Sequence, residues 1–93
     1  MRVISNKALV DFAAGHAEAR APLQAWRQAI TTSTFQSFSD LRSTFGSVDK
    51  VGRFFVFDIG GNKFRLVAAI HFDRQILYIR HVLRHREYDD WAP

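Results

Sequence analysis

A chain of 93 residues is long enough for one domain with a modest core, without cysteine for disulfides or thiolate metal sites. The opening residues lack the apolar run of a signal peptide, and no window approaches the roughly 20 apolar residues of a membrane span, so a cytoplasmic protein is expected. The formal net charge of +4 favours a polyanionic partner.

Met1 to Ile4 reads as a short strand. Ser5 or Asn6 supplies a cap for a first helix, because a side-chain oxygen there accepts an amide of the first turn. Leu9, Phe12, Ala13 and His16 follow helical spacing, with Gly15 as a stop. Pro22 suits the first turn of a second helix, where its missing N–H costs little. Leu23, Trp26 and Ile30 share one face of that helix, and the run Thr31 to Thr34 ends it. Phe38, Leu41 and Phe45 predict a third short helix or turn closed by Gly46.

After Gly52 the apolar period changes from about 3.6 to about 2. Phe55, Phe57 and Ile59 face one way; Phe54, Val56 and Asp58 face the other. Gly60, Gly61 and Asn62 favour a tight hairpin turn, which needs positive φ. The next strand, about Lys63 to Phe72, sets Phe64, Leu66, Ala68, Ile70 and Phe72 against Lys63, Arg65, Val67, Ala69 and His71. Asp73 and Arg74 make a second turn. A third strand, about Gln75 to Leu83, places Ile76, Tyr78, Arg80 and Val82 on one face, away from Leu77, Ile79 and His81. The expectation is a single α+β domain over residues 1–93, with N-terminal helices packed on a small antiparallel sheet and a short helical tail.

Charge is concentrated in this second half. Between Lys63 and Arg86 lie six cations and one carboxylate, whereas the remaining seven cations and eight carboxylates nearly cancel. Arg65 and Arg80 sit within predicted strands. Such an arginine either packs its stem on the sheet with its head in water, or projects its planar fork at a phosphate. Beyond the last strand, His85, Tyr88 and Asp89 share one face if the tail is helical. Histidine ordinarily exchanges protons near neutrality, so His85 is the candidate acid or base; Tyr88 is placed to orient substrate, stack on a base or plug the core beside Trp91. His81, His85 and Asp89 recur every four residues, but His81 falls in a strand, so the three share no face and no metal or other cofactor is expected. His16 and His71 read as structural or solvated.

The segments FVFDIGGNKFRLVAAIHF, LYIRHVL and HREYDDW together resemble the HigB-type toxins, a branch of the RelE-like superfamily. The likeness extends over nearly the whole chain and is most specific in its second half. It implies a small α+β ribonuclease that cuts mRNA under translation on the ribosome, and metal-independent transesterification is the mechanism expected of these residues. It also implies neutralisation by a helix-turn-helix antitoxin in a hetero-oligomer. On the matching positions, Arg65 corresponds to the phosphate-contacting arginine of the central strand, Arg80 to the arginine of the Tyr-Ile-Arg motif, and His85 and Tyr88 to tail residues for proton transfer and substrate orientation. Lys63 corresponds to a basic residue near the scissile phosphate, and Arg84 and Arg86 add charge for RNA. Arg84 stands where threonine is more usual. A non-catalytic RNA- or ribosome-binding domain would carry the same basic sheet, but would not need the His85–Tyr88 pair.

Overall fold

The computed structural model describes residues 1–91. Its elements run β1 (Arg2–Ile4), α1 (Asn6–Gly15), a 3-10 turn (Ala17–Ala19), α2 (Arg20–Thr31), α3 (Phe38–Thr44), β2 (Asp49–Val51), β3 (Phe54–Ile59), β4 (Phe64–His71), β5 (Ile76–Arg84) and α4 (His85–Asp90). The strands form one sheet in the order β1-β5-β4-β3-β2. Strands β3 to β5 form the antiparallel meander that the alternation predicts, and β2 adds an unpredicted antiparallel strand at its edge. The N-terminal strand β1 joins the far edge in parallel with β5, making the sheet mixed. Neither this pairing nor the short strand β2 is signalled by three-residue segments alone.

The helices cover one face. Helix α2 buries Leu23, Trp26 and Ile30, a spacing that keeps all three on one side of a 3.6-residue helix. Below them lie Phe55, Phe57 and Ile59 from β3 and Phe64, Leu66 and Ala68 from β4. Trp26 meets Phe57 edge to face, and so does Phe45 beyond the end of α3. Ser37 starts α3 by accepting the amide of Asp40 at 3.2 Å.

One irregularity changes the expected layout of β5. The β4–β5 register shifts between Val67 and Ala68, so Leu66 faces Val82 whereas Ala68 faces Ile79. A bulge of this kind puts two residues opposite one and reverses the alternation beyond it. Val82 therefore joins Leu77 and Ile79 on the helix-covered face, contrary to the uninterrupted alternation. His81 pairs with Val67 and turns to the open face, the side of the sheet that carries Arg65. Lys63 also departs from expectation. It lies in the turn before β4, and its ammonium reaches Glu18 of the 3-10 turn at 3.2 Å.

Leu66 is fully buried at the centre of this packing. Leu66→Ala is expected to destabilise the fold by about 2–5 kcal/mol, through lost transfer energy and a residual cavity. Urea unfolding monitored by tryptophan fluorescence checks it; a change below about 0.5 kcal/mol contradicts this placement.

Candidate active site on the open sheet face

The β3–β4 hairpin builds the first part of the site. Gly60, Gly61 and Asn62 take φ of 65°, 62° and 81°, the left-handed region that glycine enters without a Cβ clash and asparagine tolerates. The turn fixes the register so that Asp58 lies directly opposite Arg65. Arg65 is buried, and each of its three guanidinium nitrogens is engaged. Nε meets Asp58 Oδ1 at 3.1 Å. One terminal nitrogen donates to the Asn62 and Phe64 carbonyls, each at 3.3 Å, and the other donates to Asn62 Oδ1. The Arg65 fork thus closes its own hairpin instead of projecting freely at a phosphate.

The second part is the tail. Helix α4 follows β5 without a loop and packs against β4 and β5. The His85 amide donates to the Lys63 carbonyl at 2.9 Å, tying the helix start to the hairpin turn. Glu87 accepts from the Arg84 amide at 2.8 Å and from Arg84 Nε at 3.2 Å. These two contacts, the backbone hydrogen bond foremost, hold the Glu87 carboxyl below its ordinary value of 4.5.

The helix brings His85, Tyr88 and Asp89 to one face, as their spacing requires. His85 Nε2 lies 3.6 Å from Asp89 Oδ2, too long for a hydrogen bond, while its Nδ1 is buried with no partner among the described residues. The half-buried Tyr88 ring lies 5.7 Å from the Arg65 guanidinium. On its other side Tyr88 stacks with Trp91 at 5.7 Å between centroids, and Trp91 meets Phe54 and His81. Arg65, Tyr88 and Trp91 therefore form a continuous platform outside the helix-covered core, so Tyr88 packs beside Trp91 as expected but does not plug the core.

The other predicted cations are dispersed. Arg80 is exposed, with its guanidinium 5.5 Å from the Tyr78 ring, on the lip of a recess shared with His71 and His81. Arg84 is held by Glu87 and Lys63 by Glu18; both pairs are solvent-exposed and compete weakly with an incoming phosphate. Arg86 is exposed on α4 and has no ion-pair partner among the described residues. The structure adds Asp58, Asn62, Trp91, Arg53, His71 and His81 to the residues of interest. For Asp58 a signal existed: a hairpin turning over residues 60–63 pairs positions 58 and 65. His71 was legible too, since it alternates with Arg65 along β4; His81 gave no signal, because its face depends on the bulge. No three His, Cys, Asp or Glu side chains converge as metal ligands among the described residues.

A five-stranded mixed sheet covered on one side by helices and followed by a short C-terminal helix is an α+β arrangement consistent with a small RelE-like domain. Sequence comparison gives the family. Residues 19–91 match the HigB_toxin family, described as the RelE-like toxic component of a toxin–antitoxin system. The mRNA interferase toxin HigB of Escherichia coli strain K12 is 36% identical over 92 residues, covering 96% of this chain and 88% of that protein. The mRNA interferase HigB of Shigella flexneri matches to the same extent, and that of E. coli O6:H1 is 26% identical over 89% of its length. The chain belongs to the HigB toxin family.

Two outcomes test this geometry. Arg65→Ala leaves Asp58 without its partner and Tyr88 without its support; a loss of about 3 kcal/mol is expected, the low end for breaking a buried pair because Asp58 is partly exposed. Thermal unfolding of Arg65→Ala and Asp58→Asn measures it, and full stability in both would contradict the clamp. The second concerns pH. Because the folded-state Glu87 value is depressed, its contribution is complete above 4.5 and is lost as pH falls through the lower folded value. Amide protection in α4, corrected for the intrinsic pH dependence of exchange, should fall across that acid window, and Glu87→Gln should remove this dependence.

Proposed function

We propose that this chain is an endoribonuclease that cleaves translated mRNA on the ribosome, without a metal, and is held inactive by a helix-turn-helix antitoxin in a hetero-oligomer. The observation that carries the reading is α4, which sets Tyr88 against the buried Arg65 and carries His85 on the same helix face. Pure phosphate binding does not need that pair. The relatives' names as mRNA interferases support the same substrate and reaction class.

The reaction consistent with these groups is transesterification within the RNA. The 2′-hydroxyl oxygen attacks the adjacent phosphorus while His85 accepts its proton. The bond from phosphorus to the 5′-oxygen breaks, and that oxygen takes up a proton as it leaves. The products are a 2′,3′-cyclic phosphate and a 5′-hydroxyl. The attacking hydroxyl loses one proton and the leaving oxygen gains one, so the step needs no external reactant. Tyr88 positions the reacting group or assists the proton transfer. Arg65 acts first by holding the Tyr88 ring, since its nitrogens already serve the hairpin. Arg80, with Lys63 released from Glu18, supplies positive charge for the phosphate oxygens, and Arg84 and Arg86 hold the strand nearby.

The test is cleavage of ribosome-programmed mRNA with mapping of new 5′ ends. His85→Ala and Tyr88→Phe are each expected to lower the rate by about 10²–10⁴-fold, the range for a lost general acid or base, and elemental analysis of the active purified protein is expected to find no stoichiometric metal. Translation arrest without new 5′ ends would mark the protein as a blocking RNA- or ribosome-binding domain. A stoichiometric bound metal whose removal before the assay abolishes cleavage would end the metal-free reading.

A further inference from the structure

The open face holds a second feature, of which the reaction above uses only Arg80. A recess of about 410 Å³ lies over β3, β4 and β5, lined by Arg53, Phe54, Ala69, Ile70, His71, Arg80 and His81. Its volume falls in the usual range for small-molecule sites, roughly 300–1,000 Å³. Its chemistry is one-sided: the lining carries two guanidiniums and two imidazoles and no carboxylate. Arg53 and Arg80 have no ion-pair partner among the described residues. Each lies against an aromatic ring, Arg53 at 5.2 Å from Phe54 and Arg80 at 5.5 Å from Tyr78. His71 meets Tyr78 edge to face at 5.5 Å. Ala69 and Ile70 make the apolar part of the lining.

A surface that combines unpaired cations with aromatic and apolar walls suits a ligand with a phosphate and a flat apolar ring. An acidic peptide would satisfy the cations but leave the rings unused. The recess is also continuous with α4. Phe54 and His81, two of its walls, touch Trp91, and Trp91 stacks on Tyr88. A strand with its reacting phosphate at His85 would cross Trp91 into this recess.

We infer that the recess is a subsite for a nucleotide unit flanking the cleaved bond, with Arg53 and His71 on its phosphate and Phe54, His81 and Trp91 along its base. The placement relative to the cut rests on the reaction proposed above, whereas occupancy of the recess is tested independently of it. The probe is a short fluorescent RNA carrying 2′-O-methyl groups throughout, which cannot undergo transesterification, and the readout is equilibrium anisotropy against salt. The double variant Arg53→Gln, His71→Gln is expected to bind about tenfold more weakly, the size of one charge-assisted contact. Its log–log salt slope should be shallower by about 0.7, the value for one phosphate contact on a single strand. Should the double variant unfold at lower temperature, Arg53→Glu alone carries the same expectation. Binding within about twofold of the unaltered protein at an unchanged slope, less than one contact is worth, overturns the inference. So does a glutamate decapeptide that binds as tightly as the RNA, since that result assigns the recess to a peptide. A protein that binds the methylated RNA through Arg53 yet makes no new 5′ ends in mRNA leaves the subsite standing and removes the cleavage reading alone.

Discussion

A guanidinium buried in a β-sheet must place its hydrogen bonds inside the protein, because a charge removed from water without partners costs several kcal/mol. Arg65 meets that requirement with a carboxylate one strand away and with the turn that joins the two strands. The same group lies against the Tyr88 ring. One side chain thus couples the hairpin, the sheet and the tail helix. The left-handed turn of Gly60, Gly61 and Asn62 brings the Asn62 amide within reach of the fork, and the register of that turn sets Asp58 opposite it. A lysine could not replace this arginine, because a single ammonium cannot direct hydrogen bonds to three separated groups with fixed planar geometry.

The tail is short and weakly buried, with no fully buried residue in α4. Six residues do not make a stable helix on their own. Its position comes from three attachments: the His85 amide on the Lys63 carbonyl, Glu87 on Arg84, and the Tyr88 and Trp91 rings on the sheet. Only the last has the scale of a hydrophobic contact. An arrangement held this lightly can adjust when a long polymer lies across it, and it keeps His85 half exposed where substrate can reach it. The helices on the opposite face have the complementary task. Their aromatic and aliphatic packing makes the sheet rigid, so that side chains projecting from its open side keep a fixed spacing.

Charge on the two faces follows the same division. The cations of β4, β5 and the tail extend over the open side and its margin, and several are held by neighbouring carboxylates at the surface. Those exposed pairs are weak and screened by salt, so they order side chains without neutralising the field toward a polyanion. Arg53 and Arg80 are different: they rest on rings and have no carboxylate among the described residues, so their charge is already aimed outward.

Much of this was legible in the residues. The period of 3.6 in Leu23, Trp26 and Ile30, and the period of 2 from Phe54 through Leu77, followed from backbone geometry that any solvent-facing helix or strand shares. The hairpin at Gly60 to Asn62 was determined by the few residues that tolerate positive φ. His85, Tyr88 and Asp89 fell on one face because four residues make about one turn. What the chain did not disclose depended on contacts between distant segments. The parallel docking of β1 on β5 joins residues more than 70 positions apart. The β4–β5 bulge, which moves Val82 to the core and His81 to the open side, is a register choice between two strands and has no marker in either one. The partners of Arg65 were decided in the same way. By itself the sequence determined that an arginine stands mid-strand on the open face; only the folded sheet, by bringing Asp58 and Asn62 within hydrogen-bond distance, decided that its charge is used to hold the site together.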